Sequence, residues 1–273
     1  MLEQVETIVR EVAEEVVLPK FRALAVGEIE EKSPGEIVTV ADRASEVLLA
    51  KRLAALLPDA GIVGEEAAAA DPGVLDRLAG DEPVWVIDPI DGTSNFASGR
   101  EPFGIMVSLV RSGRPVLGVI YEPVPDVITV AEAGSGTYVD GVRTRMGTDP
   151  LTIGELRGGV LTRFLPDAVR ERVEAGLPEL GAALPGFHCA AHEYRHLVTG
   201  GEEFALFWRS LPWDHAAGAL IVREAGGVVR RLDGTEYVVG DGRTGLLGAR
   251  DQISSELLRK ALIDGLPSHW VTA

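Results

Sequence analysis

The 273-residue chain carries a single cysteine, Cys189. No intrachain disulfide framework is open to it, so the fold must rest on its core, and an isolated thiol reads first as packing. Uninterrupted apolar runs are missing too: Gly, Pro or a charge breaks every stretch before the roughly 18 residues a membrane span needs. Residues 1–22 alternate acids with valines and lack the basic segment and apolar run of an export signal, so a cytoplasmic location is expected. Positive charge is scarce, with 26 Lys and Arg against 42 Asp and Glu, a net charge of −16. That balance argues against a nucleic-acid polymer as partner, which needs a basic stripe. A pocket holding cations could still take an anion, because local metal charge outweighs the molecular average. Short repeats and long low-complexity linkers are absent, which weighs against a modular scaffold.

What is present is a globular balance, 46% apolar and 25% charged residues, on a length suited to one large domain or two closely packed lobes. Val5, Ile8, Val9, Val12, Val16 and Val17 recur at helical spacing between Glu6, Arg10, Glu11 and Glu14, an amphipathic helix limited by Pro19. A second helix is expected from about Ala41 to Leu57, and a short one within Asp71 to Leu78. Val84 to Ile87 reads as a strand running straight into Asp88, with Pro89 and Gly92 favouring a turn between the carboxylates. Gly104 to Val110 and Val116 to Tyr121 read as neighbouring strands about a turn at Ser112 and Gly113. Asp149 and Pro150 mark a boundary between an N-terminal lobe, 1–148, and a C-terminal lobe, 149–273. In the second lobe strands are expected at Gly159 to Leu165 and Ala205 to Trp208, and as a pair, Val228–Val229 and Val238–Val239, around Gly234. Helices are expected at Asp214 to Ala225 and Ser254 to Ile263. The pattern is mixed α/β.

Asp88 and Asp91 stand three residues apart. Local chemistry leaves two readings: they brace a turn, or their oxygens converge on a hard ion such as Mg²⁺, with donors at Gly92 and Thr93 facing a phosphate. Glu65 and Glu66 beside Gly64 read as solvated acids or as one edge of a site. Asp214, after Pro212 and Trp213, caps a helix or brings in a distant oxygen, while His215 reads as packed rather than ligating. Asp42 is placed to cap a helix or to support a site from behind. Lys32, before Ser33 and Pro34, reads as a solvated lysine or as a phosphate contact.

Taken together, Gly64-Glu65-Glu66, the run Asp88-Pro89-Ile90-Asp91-Gly92-Thr93-Ser94-Asn95-Phe96 and the distant Trp213-Asp214-His215-Ala216-Ala217-Gly218 closely resemble the inositol monophosphatase family over nearly the whole chain. The resemblance implies a layered αβαβα sandwich and Mg²⁺-dependent hydrolysis of a small phosphate monoester by metal-activated water. It further implies two or more ions per site and a homodimer. Residue by residue, it makes Glu65, Asp88, Asp91 and Asp214 side-chain metal ligands and the Ile90 carbonyl a backbone ligand. Asp91, Gly92 and Thr93 fall in the substrate's phosphate-holding turn. Glu65 and the pair Asp42 and Thr93 would orient or activate water, and Lys32 belongs to a basic motif near the site.

Two departures bear on the substrate. Phe207 stands where inositol-binding members carry an acid, and it cannot accept hydrogen bonds from sugar hydroxyls as a carboxylate does. The segment His188 to Tyr194 also differs, leaving Glu193 or His192 as residues that could compensate. Inositol monophosphate, another sugar phosphate, histidinol phosphate and a nucleotide phosphate all stay open, and a non-catalytic phosphate-binding module is the alternative outside enzyme chemistry.

Overall fold

A pair of helices forms the first covering layer. In the computed structural model, which describes residues 1–33 and 35–271, α1 (Leu2–Val12) buries Val5, Val9 and Val12. It passes through a π-type turn at Ala13–Val17 into the single turn α2 (Leu18–Lys20), so Val16 and Val17 leave the regular helix that their spacing predicts. A hairpin of β1 (Ile29–Ser33) and β2 (Glu36–Thr39) follows; Pro34, part of the turn expected there, lies outside the described residues. The helix α3 (Val40–Leu56) opens on a capping box. Thr39 Oγ1 accepts from Ala41 N at 3.1 Å, and the Asp42 carboxylate accepts from Thr39 N at 2.8 Å.

Among the described residues the strands form three sheets: this hairpin, one of seven strands and one of five. The seven run in chain order across the sheet: β3 (Gly61–Gly64), β4 (Val84–Asp91), β5 (Gly104–Arg111), β6 (Arg114–Glu122), β7 (Val127–Glu132), β8 (Gly136–Val139) and β9 (Val142–Thr144). The parallel pair β3 and β4 is connected over α4 (Glu65–Ala70) and a 3₁₀ segment, Pro72–Ala79. Between β4 and β5 sits α5 (Thr93–Ala97). Side chains alternate: Trp85, Ile87, Ile105 and Val107 face α1 and α3, whereas Val84, Val86, Met106 and Val110 face the middle of the molecule. Both faces are covered, which is why these strands read as continuous apolar runs. Ser112 and Gly113 both take positive φ, +46° and +69°, as a tight hairpin turn demands.

The second lobe follows as β10 (Arg157–Val160), α6 (Asp167–Gly176), β11 (Ala182–Leu184), α7 (Ala190–Val198), β12 (Phe204–Phe207), α8 (Pro212–Glu224), β13 (Val228–Arg231), β14 (Leu246–Ala249), α9 (Gln252–Leu262) and α10 (Ser268–Val271). Its sheet has the order β11-β10-β12-β14-β13. The layers are therefore α1 and α3, the large sheet, α7 and α8, the small sheet, then α6 and α9, an αβαβα sandwich. Ten residues of α8 are buried because a sheet lies on either side of it. Small residues make that fit: a Cβ on Gly118 of β6 would come within 2.9 Å of the Ala217 carbonyl oxygen.

Two expected elements differ. The strand expected over Gly159 to Leu165 ends at Val160: Leu161 N still bonds the Leu206 carbonyl at 3.1 Å, and the chain then turns, Leu165 N bonding the Thr162 carbonyl. Val238 and Val239 are not a strand: Val239 N bonds the Gly113 carbonyl, Gly240 and Gly242 take positive φ, and β14 pairs with β13 instead. Helices α6 and α7 were not foreseen. Among the described residues no helix is long and apolar enough to cross a membrane.

Candidate active site

The cleft begins where β4 runs out. Pairing with β5 slips between Asp88 and Asp91, so the strand bends at Pro89, which has no N–H to give the ladder. Asp88 Oδ1 accepts from Ile90 N at 3.1 Å. Gly92 then adopts the left-handed region, φ +83°, and any Cβ there would meet the Pro102 carbonyl at 3.0 Å and Cys189 Cβ at 3.2 Å. From this turn α5 starts, its first N–H groups lacking intrahelical acceptors. Thr93 Oγ1 lies 2.9 Å from the Ile90 carbonyl and 3.1 Å from Asp42 Oδ1, two acceptors for one hydroxyl proton. Asp42 itself is fully buried behind Thr93, its Oδ2 accepting from Thr39 N and, at 2.6 Å, Thr39 Oγ1.

Glu65 opens α4. Glu46, reaching from α3, accepts the N–H groups of Glu66 and Ala67 at 2.7 and 2.8 Å and so caps that helix; a Cβ on Gly64 would collide with the same carboxylate at 2.3 Å. This explains the glycine of Gly64-Glu65-Glu66. Lys32, on β1, sets its ammonium between Glu65, at 3.1 Å, and Glu66.

Asp214 comes from the first turn of α8, where Pro212 supplies a fixed φ and no donor. Its carboxyl and that of Asp88 act on one another electrostatically. Next to it His215 turns into the interior: Nε2 bonds the Arg209 carbonyl at 2.8 Å, which leaves Nδ1 to accept from Tyr194 Oη at 2.8 Å. Burial pushes His215 down to about 4, so the ring is neutral. Asp91 Oδ2 is met by Ala191 N at 2.6 Å, from the start of α7. Neither Ala191 nor Glu46 has a signal in the sequence as a partner of these acids, because both contacts depend on where helices dock.

Glu65, Asp88, Asp91 and Asp214 thus line one end of a single cleft of about 390 Å³. Burial drives all four carboxyls upward, and the charges of the others add to the effect at Asp88 and Asp214. Glu65 is pushed up to about 7 by burial, against the pull of Lys32, and burial takes Asp42 to about 6. The cluster is short of positive charge. Its donors are oxygens, the set that suits a hard cation, with Cys189 buried and its thiol pushed well up by that burial. Among the described residues no three His, Cys, Asp or Glu side chains stand at closed metal-site spacing. Lys32 holds Glu65, Ala191 N holds Asp91, and Ile90 N holds Asp88.

Of the two side chains expected on the substrate side, Glu193 lies outside the cleft and Phe207 on its wall. Glu193 is fully buried, outside the cleft, with Oε1 accepting from Phe187 N at 2.7 Å and its carboxyl facing Glu202. Phe207 touches the cleft wall but is only 4% exposed, stacked on Tyr194 with centroids 5.3 Å apart. His192 is spent on Glu122, at 2.6 Å. The far wall is built from residues not singled out in the sequence, chiefly Arg163, Phe164, Trp208 and Arg209. Reading a strand through Gly159 to Leu165 hid the first two.

Comparison with known proteins matches this geometry to one family. The model of the inositol monophosphatase family covers residues 1–263. The chain is 34% identical over 210 residues to the fructose-1,6-bisphosphatase/inositol-1-monophosphatase of Thermotoga maritima, covering 76% of each chain. To inositol monophosphatase 2 of Solanum lycopersicum it is 32% identical over 213 residues, 77% of this chain and 80% of that one. The extragenic suppressor protein suhB of Bartonella henselae, at 23% identity, shares the fold: TM-score 0.80, with 97% and 98% of the two chains covered. A fold of five alternating layers, the three acidic motifs at one cleft and a family match reaching from residue 1 to 263 place this chain in the inositol monophosphatase family.

Proposed function

We propose that the chain is a Mg²⁺-dependent phosphatase of small phosphate monoesters, its reaction centre in the N-terminal lobe, 1–148, with Asp214 supplied by the C-terminal lobe, 149–273. The observation that carries this reading is the convergence of Glu65, Asp88, Asp91 and Asp214 at one end of the cleft, all with raised carboxyl pKa. Four acids with a single ammonium beside them are costly unless a cation joins them. Those side chains and the Ile90 carbonyl would hold Mg²⁺, which supplies Lewis acidity toward the phosphate and a lowered pKa for the attacking water. The relatives from Thermotoga maritima and Solanum lycopersicum are phosphatases by name, and the reading extends that chemistry to this chain.

The chain's own groups have distinct work. The open N–H groups at Gly92 and Thr93 receive phosphate oxygens, as the exposed donors of a helix start do. Thr93 Oγ1, within reach of Asp42, takes up or passes a proton at the attacking oxygen, and Asp42, pushed up to about 6, is poised for that exchange near neutral pH. Glu65 holds the other side of the same oxygen, and Lys32 tempers its charge.

Phosphate release from inositol, sugar, histidinol and nucleotide monoesters, with Mg²⁺ and after chelation, tests the reading. Turnover that collapses on chelation and returns with Mg²⁺ is expected. Full turnover by metal-free protein would sink it, and phosphate binding without turnover would favour a binding module.

A further inference from the structure

Helix α7 comes from the second lobe, yet it grips the large sheet at two places within about one turn. Ala191 N, at its start, meets Asp91 Oδ2 at 2.6 Å. His192 and Arg195 close on Glu122, the last residue of β6. His192 Nδ1 lies 2.6 Å from Glu122 Oε1 and, facing an acceptor, donates to it. Arg195 Nε donates to Oε2, and Arg195 Nη2 reaches Oε1 at 3.4 Å. Burial alone would raise the Glu122 carboxyl, but the bonds from His192 and Arg195 hold it below its ordinary value, so it is ionised.

The seat of the helix is tight as well. Gly104 of β5 pairs with Asp91, and a Cβ there would come within 2.9 Å of Ala191 Cβ. The last torsion of an aspartate is soft until a donor fixes it, and the donor here is only as fixed as α7. Opening a buried ion pair strands a charge, which keeps the helix in one place against the sheet. Glu122, His192 and Arg195 do not line the cleft, so they reach it through the helix and through their charges. The charge of Glu122 by itself pushes the Asp91 carboxyl upward.

Resting on the reading of Asp91 as a cation ligand, we propose that Glu122, His192 and Arg195 are positioning residues for the cation site: they seat α7 so that Ala191 N fixes the direction of the Asp91 carboxylate. Two other accounts make different demands. If the three residues only stabilised the fold, cation affinity would not depend on them. If they acted through charge, removing the Arg195 cation would leave the acids more negative and tighten cation binding. Positioning demands the reverse, because loss of Arg195 then weakens binding although positive charge has been taken away.

Calorimetric titration of the whole, metal-free chain with MgCl₂ gives the Kd of wild type, Arg195→Met and Arg195→Lys. Arg195→Met keeps the aliphatic stem, and its Kd should rise about tenfold or more, the usual effect of losing a group that orients a metal ligand. Arg195→Lys keeps the charge but not the fork, and its Kd should fall between the other two. An Arg195→Met Kd within twofold of wild type overturns the proposal in favour of a purely structural grip, and a tighter one overturns it in favour of charge. Circular dichroism and metal-free Tm show whether each variant is folded. If Arg195→Met is not, Arg195→Lys decides: a weaker Kd than wild type supports positioning, and an equal one overturns it. Wild type that binds no Mg²⁺ sinks the cation reading and the proposal with it. Wild type that binds Mg²⁺ yet cleaves no ester sinks the hydrolase reading alone, and the Kd comparison still decides.

Discussion

Asp42 and Thr93, 51 residues apart on α3 and α5, meet in one contact of 3.1 Å between Oδ1 and Oγ1. An Asn at position 42 has one oxygen, which the two Thr39 donors at 2.6 and 2.8 Å would claim, leaving an NH₂ donor toward Thr93. Asp42→Asn should therefore lower kcat by about a hundredfold, within the usual worth of a positioned proton acceptor, while Tm changes little. Steady-state kinetics beside a thermal melt checks this; kcat within twofold of wild type would remove Asp42 from the proton path.

Cation binding should be visible without any turnover. Mg²⁺ at a hundred times its Kd stabilises the folded state by about 2.7 kcal/mol if it does not bind the unfolded chain. A rise in Tm from chelator to saturating MgCl₂ is expected, and Asp214→Asn should shrink it. An unchanged Tm in the wild type would count against the carboxylates as a cation site.

Gly218 bears on packing rather than chemistry. A Cβ there would lie 2.0 Å from Tyr194 Cδ2, and that ring is fixed by Phe207 and His215. Gly218→Ala gains up to about 1 kcal/mol of helix propensity. Overpacking a rigid site costs about 1–3 kcal/mol, or more. Net destabilisation is expected, read as a lower urea midpoint at unchanged slope; a higher midpoint would mean that the Tyr194 ring gives way.

Burial pushes Glu193 up to about 8 from an ordinary 4.5, Glu202 facing it, with His196 beside Glu202 and Asp91 contributing at a distance. The folded chain therefore keeps a proton that the unfolded chain gives up. Stability from this group is complete below about pH 4.5 and is lost as pH rises toward 8. Glu193→Gln, which mimics the protonated form, should flatten the fall in Tm across that window. Glu202, also raised by burial, keeps some slope. Parallel wild-type and variant curves would show that Glu193 is ionised in the fold.

The sequence displayed what repeats or clusters locally. Valine spacing gave α1, the β5–β6 hairpin followed from two apolar runs about Ser112 and Gly113, and the acidic motifs marked the cleft. Glu193 was misassigned because position on a helix does not tell which way the helix is turned when it docks. Ala191 N, Glu46 and the arginine wall escaped for the same reason: each contact is made across 20 residues or more. Val238 and Val239 had the composition of a strand, but Gly113 and two left-handed glycines claimed that backbone.

The burial of α8 between two sheets has a consequence for how the molecule comes apart. Its Ala217 backbone is pressed against β6 of one sheet, while Leu220, Ile221 and Val222 belong to a core that also contains Phe207 and Leu246 of the other. Removing either sheet would strip one side of that helix and leave its apolar surface wet. Separate fragments 1–148 and 149–273 would each lack half of a shared interior, so the whole chain should melt in one cooperative transition rather than lobe by lobe.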